Sequence, residues 1–299
     1  DGRSRGSAAG NWVFMRLIVL FGPLPAYALL CLVALGYAVF DRETRRAIRG
    51  FRAHLGLPTR FVHIYRHVYS FGVNLIDSLA FLAGKQDFYR FSSEGEDLLV
   101  DLLGKGKGLI LLSAHVGNWE VAANLLPNNR DITVNVAMLD NEREQIRRVF
   151  KPATEKRQVN IIPVNGDPLD IMIRMRAALG RNETVCILGD RVRGAEDSQA
   201  VSFLGEPAAF PRGPFAVAAI TGAPVVTVLT LKKGLRHFHH RAVATYDFDG
   251  VSRAGRAARV TDAMREYVRV LEQAARERPY QWYNLYDFWS QGRPAPSGK

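Results

Sequence analysis

Cysteine is scarce in this chain, which has only Cys31 and Cys186 among 299 residues. The two do not form a Cys-x-x-Cys pair, so the sequence indicates neither a disulfide framework nor a thiol-based zinc site. A Gly-x-Ser-x-Gly elbow is also missing, so a serine acyl-enzyme is unsupported. We therefore expect a fold stabilised by one sizeable hydrophobic core in a reducing, cytoplasm-facing compartment, and 47% hydrophobic residues are enough to form it.

Acidic residues are fewer than basic ones, 29 against 40, which gives a formal net charge of +11. Such an excess indicates an anionic partner without distinguishing nucleic acid, lipid headgroups and an acidic carrier protein. Residues 41–66 hold seven arginines and two acids directly after an apolar segment, which favours anionic lipid over a simple solvated helix face. The segment Lys232–Arg241 fits a phosphate site or a basic hairpin tip. Its three histidines lack a nearby carboxylate or cysteine, so we predict no metal there.

A long apolar run lies near the amino terminus, where Leu17 to Phe40 form 24 residues without a charge. A helix of that length can cross about 30 Å of hydrocarbon. Because Pro23 and Pro25 interrupt it, we predict an unbroken helix from about Ala26, with the earlier part in the membrane interface. A cleavable signal peptide is the alternative, but no small-x-small cleavage site follows the run. More arginines follow the run than precede it, which predicts that the rest of the chain faces the cytoplasm.

Beyond this run, short apolar strand patterns alternate with helical patterns, without an internal repeat. We predict helices at 60–82, 95–103, 119–126, 143–156, 168–179, 213–221 and 261–277. We predict strands at 108–113, 132–136, 160–162, 184–188, 224–231 and 241–245. This alternation predicts an α/β fold with a mostly parallel mixed sheet flanked by helices. We divide the chain into a membrane anchor at 1–45, one catalytic domain at 46–290 and a disordered tail at 291–299.

The run Gly108-Leu-Ile-Leu-Leu-Ser-Ala-His115-Val-Gly-Asn-Trp-Glu120 places a histidine at the end of an apolar strand and a carboxylate five residues later. Residues five apart lie about 140° apart on a continuous helix, so we predict His115 in a loop and Glu120 in the first turns of the next helix. From there the carboxylate can hold one imidazole nitrogen while the other accepts a proton. A hydrogen-bonded structural histidine is the alternative. The Gly117-Asn118 pair allows a tight turn beside His115, and no second ligand stands at a metal-binding spacing, so a general base is favoured over zinc.

A second candidate region, Asp190-Arg191-Val-Arg193-Gly194, follows a predicted strand and is expected at the same sheet edge as His115. Arg191 or Arg193 could stabilise negative charge on a reacting carbonyl oxygen or bind phosphate, with Asp190 holding an arginine in place. A salt-bridged loop is the alternative.

A third region, Phe210-Pro-Arg212-Gly213-Pro214, is typical of a loop that opens a helix at Pro214. Free backbone amides and a basic side chain would favour an anion there. A simple helix start explains the same pattern.

These residues carry a resemblance. The form Ser-Ala-His-Val-Gly-Asn-Trp-Glu resembles the His-x4-Glu motif of the lysophospholipid acyltransferase superfamily, most closely its bacterial lipid A late acyltransferase branch. Residues 188–191, 201–218 and 279–289 are similar to later blocks of that branch, in the same order. The resemblance covers most of the chain. Many superfamily members carry Asp after the four-residue spacer, whereas Glu is usual in this branch.

The resemblance implies a glycerolipid acyltransferase-like fold and an enzyme without a cofactor. His115, steadied by Glu120, would remove a proton from an acceptor hydroxyl or amine, which attacks the thioester of an acyl carrier protein or acyl-CoA. We assign substrate binding to Asn118, Asp190, Arg191, Arg193, Phe210, Arg212 and Gly213. Lipid A-type acylation at the cytoplasmic face of a bacterial inner membrane is favoured, and acylation of a glycerophospholipid or aminolipid is the alternative.

Two other classes of protein explain less of the sequence. A non-enzymatic membrane lipid-binding protein accounts for the anchor and the arginines but leaves the His-Glu geometry unexplained. A nucleic-acid binder accounts only for the charge, and we expect no nucleic-acid partner. Four aromatic residues of the last block are expected in the core and in an acyl groove, with a membrane-interface belt as the alternative: Trp282, Tyr283, Tyr286 and Trp289.

Overall fold

A computed structural model describes residues 8–121, 132–138, 159–192 and 197–291. The amino-terminal helices are α1 (Ala8–Phe21), α2 (Pro23–Phe40), α3 (Arg42–His54) and α4 (Phe61–Leu82). The strands are β1 (Arg90–Glu94), β2 (Leu109–Ser113), β3 (Val134–Met138), β4 (Val159–Pro163), β5 (Thr184–Leu188), β6 (Ser198–Phe203), β7 (Glu206–Pro211), β8 (Val225–Gly234) and β9 (His237–Tyr246). The helices among and after them are α5 (Glu96–Gly104), α6 (Pro168–Gly180), α7 (Gly213–Thr221) and α8 (Arg256–Glu277).

The expected fold class is confirmed by a seven-stranded sheet in the order β1-β9-β8-β2-β5-β3-β4. Neighbouring strands are parallel except for β8 and β9, which form an antiparallel hairpin. The hairpin interpretation of the 232–241 segment is thereby confirmed. The carboxyl ends of β2, β5 and β8 consequently lie side by side at one edge of the sheet, where reactive groups are expected in such folds.

Both faces of the sheet are covered by helices. Ile110 and Leu112 of β2 lie in one buried cluster with residues of α6, α7 and α8, whereas Leu109 and Leu111 lie in another with α5. Successive side chains of a strand point to opposite faces, so a strand covered on both sides reads as a continuous apolar run. This is why the central strands were visible in the sequence.

The amino-terminal segment differs from the prediction. Helix α2 begins at Pro23 instead of near Ala26, because proline is tolerated in the first turn of a helix, where its missing N–H has no partner to lose. Gly22, at φ +80°, separates α2 from α1. The arginine-rich stretch that follows is helical: Asp41 caps α3 by accepting hydrogen bonds from the Thr44 backbone N–H at 3.0 Å and hydroxyl at 2.8 Å.

The first two helices pack on α4. One face of α2 is buried along the helix, at Pro23, Ala26, Tyr27, Leu30, Ala34 and Ala38. Its buried residues form a cluster with those of α1 and α4. Within the described residues, α2 is the one helix long and apolar enough to cross a membrane.

Some segments were missed or lie outside the described residues. Residues 198–211, which carry part of the resemblance, form a two-stranded antiparallel hairpin apart from the main sheet. Strand β1 was also unforeseen, and α8 begins at Arg256, five residues before its predicted start at 261. The predicted helix at 143–156, most of that at 119–126 and nearly all of the predicted tail at 291–299 lie outside the described residues.

Candidate active site

The site is built where β2 and β5 end next to each other. Ser113 at the end of β2 is in register with Leu188 at the end of β5, and the Gly189 N–H donates to the Ser113 carbonyl at 2.9 Å. His115 and Asp190 follow these strand ends directly. Their expected meeting at one sheet edge is therefore observed.

Asp190 is fully buried and its carboxylate holds His115 at two points. Oδ2 accepts from the backbone N–H of His115 at 2.9 Å, and Oδ1 lies 2.9 Å from Nδ1 of the imidazole. The side-chain amide of Asn284 also donates to Oδ2, at 2.7 Å. Burial acts to raise the pKa of Asp190, but the His115 imidazole, the Arg191 guanidinium and the Asn284 amide lower it to about 2.

An ionised carboxylate can only accept hydrogen bonds, so Nδ1 of His115 must carry the proton in this pair. Nε2 then keeps its lone pair, and among the described residues no group donates to it. The His115 side chain is 20% exposed, so the imidazole is partly accessible at this edge of the sheet. The arrangement fits a general base whose tautomer is set by a buried carboxylate.

The contacts of the imidazole do not show the predicted pair of His115 and Glu120. Glu120, predicted to hold one ring nitrogen, begins a half-buried helical turn after Trp119, and Asp190 stands at Nδ1 instead. Asp190 was itself expected to hold an arginine, whereas its side-chain hydrogen bonds go to His115 and Asn284. The role of Glu120 in the site stays a prediction.

The loop that carries His115 is held by two other segments. The Gly117 N–H donates to the Gln281 carbonyl at 2.9 Å, and the Asn118 N–H donates to the Thr230 carbonyl at 2.8 Å. Gly117 has φ +67°, and a Cβ there would lie 2.0 Å from the Thr230 oxygen. Glycine is required for this close approach, so the loop conformation is fixed by strand β8 on one side and by the carboxyl-terminal segment on the other.

Asn118 serves the same loop. Its side chain is 1% exposed, and its Oδ1 accepts from the Val121 N–H at 3.2 Å, as a helix-capping residue does. In the observed conformation it positions the loop, and its assignment to substrate binding stays a prediction.

Asn284 is the residue of the site that sequence reasoning missed. It lies in the aromatic carboxyl-terminal block, is 2% exposed and accepts at Oδ1 from Nε of Arg191 at 2.7 Å while donating to Asp190. The Tyr283 N–H donates to the His115 carbonyl at 2.8 Å, so this block contacts both partners of the pair. The signal available in the sequence was the presence of two amide-bearing residues, Gln281 and Asn284, among the tyrosines of an otherwise aromatic run.

The aromatic block is part of the core, as one of its interpretations required. Trp282 is 1% exposed, and its ring stacks on Phe51 at 5.4 Å and on Phe203 at 5.1 Å between centroids. Trp289 also stacks on Phe203, at 5.8 Å. These contacts join the end of the chain to α3 and to the β6–β7 hairpin.

The remaining predicted binding residues are divided. Phe210 is 1% exposed in β7 instead of in a loop, and its ring packs on Phe203, Phe288 and Tyr267 in the core. Its assignment to substrate binding stays a prediction. Arg212 is exposed at the start of α7, and Gly213 begins that helix. Arg193 lies outside the described residues.

Comparison with known proteins gives one family and a few relatives. The model of the family described as bacterial lipid A biosynthesis acyltransferase matches residues 68–291. The chain is 30% identical over 135 residues to a phosphatidylinositol mannoside acyltransferase of Mycolicibacterium smegmatis, covering 44% of this chain and 43% of that protein. It is 29% identical over 135 residues to the protein of that name from Mycobacterium tuberculosis, covering 44% and 41%. The match thus spans less than half the length of these relatives.

Proposed function

The chain belongs to the bacterial lipid A biosynthesis acyltransferase family, and on that premise we propose that it transfers a fatty acyl chain from an acyl thioester to a lipid acceptor. The observation that carries the proposal is the pairing of His115 with the buried Asp190 at the carboxyl edge of the sheet. Acyl transfer to a hydroxyl or amine needs a base with a free, correctly oriented nitrogen, and Nε2 of His115 meets that need.

The reaction proceeds by direct attack, without an acyl-enzyme. Nε2 of His115 takes the proton of the acceptor hydroxyl or amine as its oxygen or nitrogen bonds to the thioester carbonyl carbon. The tetrahedral intermediate then collapses, the carbon–sulfur bond breaks, and the departing thiolate receives the proton from the imidazolium. Asp190 stabilises that imidazolium, because an anion at Nδ1 favours the protonated ring.

Charge that develops on the carbonyl oxygen requires cationic or amide donors nearby. We assign this role to Arg191 and Arg193, as the order of the chain after β5 suggests. Arg191 is fixed beside the pair by its hydrogen bond to Asn284 at 2.7 Å. Glu120 and Arg212 remain proposed members of the site, Glu120 as a second carboxylate near the base and Arg212 as a contact for an anionic group of a substrate.

The acceptor is proposed to be a lipid that bears a sugar. The description of the family and the names of the relatives both refer to such lipids. Lipid A-type acylation from acyl carrier protein or acyl-CoA is our first choice. A phosphatidylinositol mannoside-type glycerophospholipid is the second, because the two relatives carry that name.

The enzyme is proposed to sit on the cytoplasmic face of a bacterial inner membrane. Outside the buried face of α2, large apolar side chains are exposed: Leu24, Leu32, Leu35, Val39 and Phe40. Since the buried face runs from Pro23 to Ala38, α2 is attached to the protein over nearly its whole length. We therefore place α2 in the membrane interface, with its exposed face in the acyl chains of one leaflet.

The test is transfer of labelled acyl chains from acyl carrier protein and acyl-CoA thioesters to a panel of lipid acceptors in membranes. His115→Ala is expected to abolish transfer while donor binding persists. His237→Ala is the matched control, since that histidine bonds to Ser92 on the far strands of the sheet and should keep its activity. The proposal would be overturned if His115→Ala kept more than a few per cent of normal transfer. It would also be overturned if the folded wild-type protein transferred no label from either donor.

A further inference from the structure

Arg52 is a buried cation without an acidic partner. It lies on the buried face of α3, is 2% exposed and donates from Nε to the Pro58 carbonyl at 2.6 Å. Within the part of the chain that the structure describes, its Nη1 has no hydrogen-bond partner. The buried carboxylates Asp77 and Asp190 are each held by a basic side chain, whereas no described carboxylate forms an ion pair with Arg52. A buried charge left without a counter-ion is costly, so this arginine calls for an anion from outside the chain.

Arg52 lies beside Tyr280, and two further basic side chains, Arg66 and His63, lie around the same ring. The guanidinium carbons of Arg52 and Arg66 lie 5.1 Å and 4.7 Å from the centroid of the Tyr280 ring. Nδ1 of His63 lies 2.7 Å from the Tyr280 hydroxyl. Cation–π contacts with the ring offset part of the cost of crowding these groups but supply no negative charge.

The electrostatic character of the cluster is visible at His63. Burial, followed by repulsion from Arg52, Arg66 and Arg60, lowers the pKa of this histidine. Arg60 immediately precedes α4, whose first turn has no side-chain cap. The partial positive charge at this helix start adds to that of the three arginines.

The cluster borders the apolar face assigned to the membrane. Helices α2 and α4 run antiparallel, since the Tyr69 hydroxyl contacts the Tyr27 carbonyl and the earlier Tyr65 hydroxyl contacts the later Cys31 carbonyl. The start of α4 therefore lies toward the end of α2. Three apolar side chains are exposed there, with 82% of Phe40, 45% of Phe61 and 52% of Val62 accessible.

We propose that Arg52, Arg60, Arg66 and the first turn of α4 bind the phosphate of an anionic phospholipid headgroup. Guanidinium groups match phosphate oxygens in a bidentate way, and uncapped helix amides complement them. The apolar rim then receives the acyl chains of the same lipid. The inference rests on the proposed membrane placement and is independent of acyl transfer.

The experiment measures the thermal unfolding of the full chain in neutral detergent micelles, with phosphatidylglycerol or phosphatidylcholine added. Arg60→Gln and Arg66→Gln alter exposed side chains and should fold normally. Arg253→Gln is the matched control, because it removes the same charge from an exposed turn before α8. Phosphatidylglycerol should raise the melting temperature of the wild type and the control, and the apparent affinity should fall about tenfold in each cluster variant.

Other outcomes overturn the proposal. Equal responses in all variants would mean diffuse attraction without a site. An equal rise in melting temperature with inorganic phosphate at matched ionic strength would identify free phosphate as the ligand. If the cluster variants lost binding of acyl carrier protein but kept the response to lipid, the ligand would be the carrier protein. In phosphatidylcholine, the melting temperature of Arg52→Met should be no lower than that of the wild type. Phosphatidylglycerol should not raise the melting temperature of this variant. A lower melting temperature for Arg52→Met, with a normal lipid response in the exposed variants, would mean a structural arginine only.

Discussion

Replacing Asp190 by asparagine distinguishes the two carboxylates that the sequence places near His115. The Asp190 oxygens accept three N–H groups, two from His115 and one from Asn284. An asparagine keeps the shape but offers only one oxygen. The amino group of the asparagine then faces an N–H donor, and the two donors repel each other. The imidazole can avoid this by changing tautomer, so that Nδ1 accepts a hydrogen bond and Nε2 carries the proton. In that tautomer, His115 can no longer act as the base.

Both turnover and stability should fall. The pKa of Asp190 is lowered from 3.8 to about 2, a difference equivalent to about 2–3 kcal/mol of interaction with its partners. Because this pKa is depressed, the stabilisation is present above pH 3.8 and is lost as the pH falls toward 2, so Asp190→Asn should differ from the wild type at neutral pH and converge with it in acid. A wrong tautomer in a histidine–aspartate pair costs about 10⁴ in kcat. We expect a loss of about 10³–10⁴-fold with little change in KM.

The assay combines label transfer with ¹⁵N NMR of the His115 ring in micelles. Asp190→Asn should show the proton moved from Nδ1 to Nε2, and Glu120→Gln should keep the wild-type tautomer. Turnover of Asp190→Asn within tenfold of the wild type would refute the reasoning. A changed tautomer in Glu120→Gln but not in Asp190→Asn would do so as well.

Two more substitutions test the surroundings of the pair. Asn284→Leu removes a donor to Asp190, so kcat in the label-transfer assay should fall about tenfold while KM holds, and an unchanged kcat would contradict a positioning role. Gly117→Ala should lower the free energy of unfolding by about 1–3 kcal/mol and impair turnover, because its Cβ would meet the Thr230 oxygen. Gly166→Ala, with nothing within 4 Å, is the control for chemical denaturation, and equal losses in both variants would count against the close approach.

The sequence predicted the edge of the sheet but not the pairing at that edge. Leu109–Ser113 and Thr184–Leu188 are short apolar runs, and adjacent parallel strands bring whatever follows them together. Which carboxylate meets the imidazole depends on the path of the loop after β2. That path is set by Thr230 and Gln281, more than a hundred residues away, and local spacing carries no information about either contact.

Two elements that were not predicted, the β6–β7 hairpin and helix α3, have weak local patterns. The β6–β7 hairpin contains Pro207 and Pro211, which weaken a strand pattern, and its turn at Leu204 and Gly205 requires positive φ at both residues. The arginines of helix α3 weaken the apolar pattern by which a helix is predicted. Its buried positions Thr44, Ile48, Phe51 and Arg52 follow helical spacing, but two of the four are polar, so the apolar stripe is faint.

A buried ion pair joins α2 to the edge of the sheet that carries His115. Lys232, in the segment predicted as a phosphate site or hairpin tip, points inward to Asp77 of α4, whose other oxygen accepts from the hydroxyl of Tyr27 in α2. The Lys232 carbonyl accepts from the side chain of Gln281 at 2.8 Å, and the Gln281 carbonyl in turn holds the Gly117 N–H.

Pulling α2 away from the protein to cross a bilayer would strip Asp77 of a donor and leave the pair less well satisfied, which is costly for buried charges. It would also disturb Lys232, which is connected through Gln281 to the loop that carries His115. The contacts that hold the loop of His115 therefore favour an α2 that stays packed on the protein, as the proposed placement of α2 in the membrane interface requires.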